Sequence, residues 1–182
     1  MTRRSCAFTA ALAAVFALAG AAPASTSLLG GRTARISAVA DGDTVFLTNG
    51  DTVRLVQIDT PEVSSKYESP ECYGATASKI TKRLLPPGTL VRLAREPATD
   101  SVDSYGRLLR YVTRARGDLN INIHLVAVGA AAPYFYLGRR GRYAARLTRL
   151  ALRARRHHLG LWGRCPGTPY DPDRGVSTGP PR

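Results

Sequence analysis

The chain has 182 residues, a formal net charge of +13, and basic residues that are almost all arginine. That length holds one domain with a real core and leaves too little for two. A surface of that sign favours polyanions, nucleic acid before anionic membrane or cell-wall polymer.

Arg3 and Arg4 precede an apolar run from Ala7 to Ala22, and Ala22-Pro23-Ala24 offers small residues for cleavage. Residues 1–24 therefore read as a signal peptide, removed after Ala24 to leave a secreted, extracellular protein. The run is shorter and richer in alanine than a membrane span, and no later segment has eighteen uninterrupted apolar residues. No stable membrane insertion is expected. Cleavage would remove Cys6 and leave Cys72 and Cys165, an even count. Outside a reducing cytosol an even count suggests a Cys72–Cys165 disulfide, with two free buried thiols as the alternative. A Cys/His metal site is disfavoured because His157 and His158 are adjacent.

From Arg32 to Ile58 the sequence alternates and is rich in Val, Ile, Leu and Thr, with breaks at Asp41-Gly42 and at Asn49-Gly50-Asp51. Asn-Gly between apolar runs is a hairpin signal, so strands are predicted near 33–40, 43–48 and 51–58. Residues 63–72 are polar and read as a loop. A helix is predicted from Ala75 to Leu85, closed by Pro86-Pro87-Gly88, then strands near 89–95 and 107–113 and a short helix near 119–129. A longer helix over 139–158 spaces Tyr143, Leu147, Leu150, Ala151 and Ala154 helically, with arginines elsewhere. From Pro166 to Arg182 the composition is Pro, Gly, Asp and Ser, and a disordered tail is predicted. The domain is thus placed at 32–165, an α+β, mostly β fold: five short strands with interspersed helices suggest a small, partly open barrel.

Three segments carry chemistry: Asp41-Gly42-Asp43-Thr44, Arg54 through Asp59-Thr60-Pro61-Glu62, and Asp103-Ser104-Tyr105-Gly106-Arg107. Each alone is an ordinary turn. Together they supply the carboxylates of Asp43, Asp59 and Glu62 and the guanidiniums of Arg54 and Arg107. Asp43 begins one strand of the hairpin and Asp59 follows the end of its partner, so the two approach and can grip one cation. Oxygen ligands suit a hard divalent ion, and arginines stabilise the charge that gathers on a phosphodiester under attack.

These segments, with Tyr73-Gly74-x-x-Ala77, the pair Tyr134 and Tyr136, and Gly160-Leu161-Trp162, resemble the staphylococcal-type thermonucleases over about Ala34 to Cys165. The resemblance implies a five-stranded OB-fold barrel with three helices. It implies calcium held by the Asp43 and Asp59 carboxylates and the Thr60 carbonyl, and Glu62 positioning or deprotonating the attacking water. Arg54 and Arg107 would hold the phosphate, Tyr105 a neighbouring phosphate, and Tyr134 and Tyr136 the nucleotide. The implied reaction is hydrolysis of DNA and RNA, single strands preferred, leaving 3′-phosphates; nothing in the sequence demands more than a monomer. Ser104 departs from the lysine of the best-known members. Two other readings compete: a non-catalytic OB-fold module that binds nucleic acid, and a basic envelope-binding protein, which would leave the acid cluster unexplained. On the last long helix, arginines form either a solvated face or a capture surface for long nucleic acid.

Overall fold

The computed structural model describes residues 32–63 and 69–177, so the expected signal peptide lies outside the described residues. Five strands close a barrel in the order β1-β2-β3-β6-β5. They are β1 (Arg32–Val39), β2 (Thr44–Leu47), β3 (Thr52–Leu55), β5 (Leu90–Ala94) and β6 (Leu108–Arg114). Alternation turns Ile36, Val45, Leu47, Val53, Leu55, Val91, Leu93 and Val112 into the core. Antiparallel ladders join neighbours except between β3 and β6, which run parallel with Arg54 opposite Leu109. A parallel pair needs a crossover, and α1 (Gly74–Leu84) with β5 supplies it.

The strand predicted over 51–58 breaks. Val56 and Gln57 turn, with Gln57 at φ 65. The chain resumes as the short strand β4 (Ile58–Asp59), paired with β7 (Ala132–Pro133) outside the barrel. Helix α2 (Ile121–Ala127) starts where the Asn120 side chain accepts from the Ile123 amide. It is tied to the barrel by Asn122, which accepts from the Val112 amide at 2.9 Å and donates to the Val56 carbonyl at 2.8 Å.

Helix α3 (Ala144–Arg156) begins five residues later than the predicted 139 because the backbone before it is held elsewhere. The Arg139 carbonyl accepts from Gln57, and the Gly141 and Arg142 amides donate to Gln57 and Glu96. Its face of Ala144, Leu147, Ala151 and Ala154 is buried as the spacing predicts. A single turn, α4 (Leu161–Arg164), then seats Trp162 in the core.

The predicted disorder after Pro166 is corrected over the described part of the tail. Residues Tyr170–Asp171 (β8) and Val176–Ser177 (β9) pair as a hairpin. Tyr170 is buried, and the Phe135 amide donates to the Gly175 carbonyl at 2.7 Å. No helix among the described residues is long and apolar enough to cross a membrane.

Candidate active site

Strand register assembles the site. Thr44 on β2 pairs with Arg54 on β3, and the Asp43 carbonyl accepts from the Leu55 amide at 2.8 Å. Asp43 thereby stands beside Arg54. The turn before it is shaped by Asp41, whose Oδ1 accepts from the Asp43 amide at 3.0 Å and the Thr44 amide at 2.7 Å. Thr81 on α1 donates to the Gly42 carbonyl at 2.6 Å, fixing the turn to the helix. Gly42 has to be glycine: a Cβ there would lie 2.4 Å from the Thr60 hydroxyl oxygen.

Asp43 and Asp59 converge on one guanidinium. Arg54 places one terminal nitrogen 3.0 Å from Asp43 Oδ2 and the other 2.6 Å from Asp59 Oδ1. It also donates to the Leu55 and Ile58 carbonyls at 3.0 and 2.9 Å. Asp43 Oδ2 accepts in addition from the Thr60 amide at 2.8 Å and the Thr60 hydroxyl at 2.9 Å. Asp43, Asp59 and Thr60 are all buried.

The electrostatics follow from that crowding. Burial pushes the Asp43 carboxyl up to about 7; Arg54 opposes the shift, and Asp41 and Asp59 add to it. Burial alone would weaken Arg54's hold on its proton, but Asp43 and Asp59 outweigh it and raise its pKa. With both acids ionised, two buried carboxylates against one guanidinium leave negative charge in excess, which is part of why Asp43 holds its proton. Additional positive charge would therefore stabilise the cluster, and its donors are all oxygens, the set a hard divalent cation takes. Among the described residues no three His, Cys, Asp or Glu side chains stand close enough to form a complete cage. The Asp43 and Asp59 carboxylates, brought together on Arg54, are the charged oxygen donors the cluster offers such an ion.

The other predicted residues are distributed around this centre. Glu62 is half-buried three residues beyond Asp59. Arg107 lies just before β6, whose Leu109 is the register partner of Arg54. Its guanidinium donates to Asp103 Oδ2 at 2.7 Å and lies 5.2 Å from the Tyr105 ring centroid. Burial disfavours the Asp103 anion, but bonds from the Arg107 and Tyr105 amides and the Arg107 side chain outweigh it and lower its pKa. Tyr105 is exposed. Tyr134 follows β7, its hydroxyl pKa raised by burial and then by Asp59, and Tyr136 is half-exposed at the start of a 3₁₀ turn. Cys72 and Cys165 form a disulfide with a Cα–Cα distance of 5.7 Å.

Several contributors escaped the sequence reading. Asp41 and Asp103 lie in the Asp41–Thr44 and Asp103–Arg107 segments, where an acid two to four residues before a backbone donor signals an Asx-type turn. Glu71 and Tyr170 had no such signal. The Glu62 amide donates to Glu71 Oε2 at 2.9 Å, the Glu71 amide returns a bond to the Glu62 carbonyl at 3.0 Å, and the Tyr170 hydroxyl lies 3.3 Å from the same Oε2. Arg54, expected on a phosphate, is engaged with both carboxylates.

Residues 52–164 match the family model described as Staphylococcal nuclease homologue. The chain is similar to a thermonuclease of Staphylococcus intermedius, 32% identical over 132 residues that cover 71% of this chain and 75% of that protein. It is similar to a thermonuclease of Staphylococcus hyicus, 29% identical over 72% of this chain and 76% of the other. Over 75 residues it is 45% identical to the SPbeta prophage-derived endonuclease YokF of Bacillus subtilis (strain 168), covering 40% of this chain and 25% of that protein. With more than half of the chain matched by that model and a relative 32% identical over most of both chains, the chain belongs to the staphylococcal nuclease homologue family.

Proposed function

We propose that this nuclease hydrolyses phosphodiester bonds of DNA and RNA outside the cell, with calcium as its cofactor, single strands as its preferred substrate and 3′-phosphate ends as its products. The observation that carries the reading is the convergence of two buried carboxylates on Arg54 in a protein of net charge +13. Asp43, Asp59 and the Thr60 carbonyl would hold the ion. When bound, calcium polarises a phosphoryl oxygen and eases deprotonation of a water.

The side chains do the rest. Glu62 accepts the proton of the attacking water, a role that contributes about 10²–10⁴-fold. Arg54 and Arg107 are forked donors suited to a non-bridging phosphoryl pair, and they stabilise charge as it develops there. Arg107 also assists the departing 5′ oxygen by hydrogen bonding to the charge that develops on it. Tyr105 donates to a neighbouring phosphate, and Tyr134 and Tyr136 offer rings for base stacking, indifferent to sequence. One specific feature favours a binding-only module instead: both arginines are held by carboxylates, Arg54 by Asp43 and Asp59 and Arg107 by Asp103. A phosphate must compete with those partners.

Hydrolysis of single-stranded DNA, measured with calcium and with a chelator, separates the readings. Cleavage is expected only with calcium, yielding ends that a polymerase extends only after phosphatase treatment. Cleavage unchanged by chelation overturns the metal assignment, and binding without cleavage selects the module. Glu62→Gln is expected to lower kcat at least 10²-fold while DNA affinity moves less than about twofold. Secretion is checked by the first residue of protein recovered from the medium, expected to be Ser25.

A further inference from the structure

Four arginines on α3, Arg146, Arg149, Arg153 and Arg156, have no place in the chemistry above. Their spacing of three, four and three residues holds them within an arc of about 80°. That arc lies opposite the buried Ala144, Leu147, Ala151 and Ala154. All four are exposed, and with Leu150 and Leu152 they line an open hollow of about 560 Å³.

The arrangement works against the helix that carries it. Neighbours three or four residues apart on a helix repel when they share a charge, and this face stacks three such pairs in a row. The helix contains no acidic residue to relieve them. Arg146 adds positive charge near the N-terminal end, where the helix dipole disfavours it. Some arginines close to this face do pair with acids: Arg139 with Asp100, Arg142 with Glu96, and Arg155, on the adjacent side of α3, 4.0 Å from Asp173. Among the described residues none of the four makes an ion pair. A face that destabilises its own helix and lacks acid partners is complementary to an external polyanion.

The geometry points to a second nucleic-acid site: we infer that this face binds the sugar-phosphate backbone of the substrate polymer away from the bond being cut. The span from Arg146 to Arg156 is about 15 Å along the axis. One strand of a duplex presents about four phosphates over that length. Arginine's planar fork suits phosphate oxygens. Two flanking leucines without an aromatic ring give too little apolar surface for insertion into a bilayer. The inference rests on the nuclease reading only for the identity of the polymer.

The test compares two full-length variants of equal charge. One replaces Arg146, Arg149, Arg153 and Arg156 with Gln, and the other replaces the exposed Lys79, Lys82, Arg83 and Arg116 with Gln. Affinity for a 40-base-pair duplex is measured in chelator across a salt series. The α3 variant is expected to lower the slope of log affinity against log salt by about 3, since each phosphate contact contributes about 0.9; the control is expected to lower it by less than 1. With calcium, KM for long DNA should rise at least tenfold in the α3 variant, while cleavage of a two-nucleotide substrate stays as in wild type. The paired variants Arg146→Gln with Arg149→Gln, and Arg153→Gln with Arg156→Gln, should each give about half the slope change and serve if the fourfold variant fails to fold. Equal slopes in the α3 and control variants overturn the inference. So does loss of binding to phosphatidylglycerol vesicles with DNA binding intact. A wild type that binds with the expected slope but never cleaves sinks the catalytic reading and leaves this one standing.

Discussion

Asp43 is the side chain most sensitive to what shares its surroundings. Its carboxyl is pushed from an ordinary 3.8 up to about 7, chiefly by burial. Between those values the unfolded chain has lost the proton and the folded protein keeps it. The resulting contribution to stability is full below about pH 4 and is lost as pH rises to about 7, by at most about 1.4 kcal/mol per pH unit. Asp43→Asn removes the titration without changing the shape. In chelator, the stability of wild type relative to Asp43→Asn, measured by urea unfolding, is expected to fall steadily from pH 4 to 7. Calcium added at pH 8 should recover wild type and leave Asp43→Asn unmoved. A relative stability that is flat across that range contradicts the account of Asp43. The approach of Asp43 and Asp59 was legible in the sequence because Asn49-Gly50 sets the hairpin register. Arg54's bridging of both acids and Thr60's double donation to one oxygen were not, since side-chain direction at a strand end has no periodic signature.

The C-terminal hairpin shows why one element was misread. Its composition is low in apolar residues, which argues for disorder, yet one buried aromatic, Tyr170, and bonds from the Phe135 amide and Arg140 to its backbone dock it. The Tyr170 hydroxyl reaches Glu71, which in turn holds the Glu62 backbone. Gly74 tightens the same contact, because a Cβ there would lie 2.1 Å from the Glu62 carbonyl oxygen. Tyr170→Phe is expected to cost about 1 kcal/mol by losing one hydrogen bond. Tyr170→Ala should cost about 3–5 kcal/mol by leaving a cavity. Urea unfolding measures both. If the hairpin supports Glu62, Tyr170→Ala also lowers kcat more than it raises KM; unchanged kcat would make it a passive cover. The late start of α3 was missed for a related reason. Its arginine-rich lead-in continues the helical pattern, but Gln57 and Glu96 take up the backbone groups that a further turn would need.

At the scale of the whole molecule, the barrel was readable from alternation and turn chemistry, whereas the parallel closure of β3 on β6 was not, because nothing local in either strand encodes its partner. The disulfide acts on that long-range architecture. Cys72 and Cys165 are 93 residues apart in sequence and tie the approach to α1 to the end of α4. Closing a loop of that length limits the unfolded chain by about 4–5 kcal/mol in the chain-entropy account, with less realised where the reduced chain keeps structure. For a domain of this size, that corresponds to a fall in Tm on the order of 10 °C on reduction. Cys72 also adjoins Glu71, and Cys165 opens the segment that carries Tyr170, so the bond clamps both arms of the Glu62 support. Reduction should therefore depress kcat on single-stranded DNA at 25 °C, well below unfolding, with little change in KM. The paired variant Cys72→Ser with Cys165→Ser should reproduce both effects in the absence of reductant. If Tm falls while kcat holds, the bond stabilises the fold without reaching the site, and the coupling through Glu71 and Tyr170 is wrong.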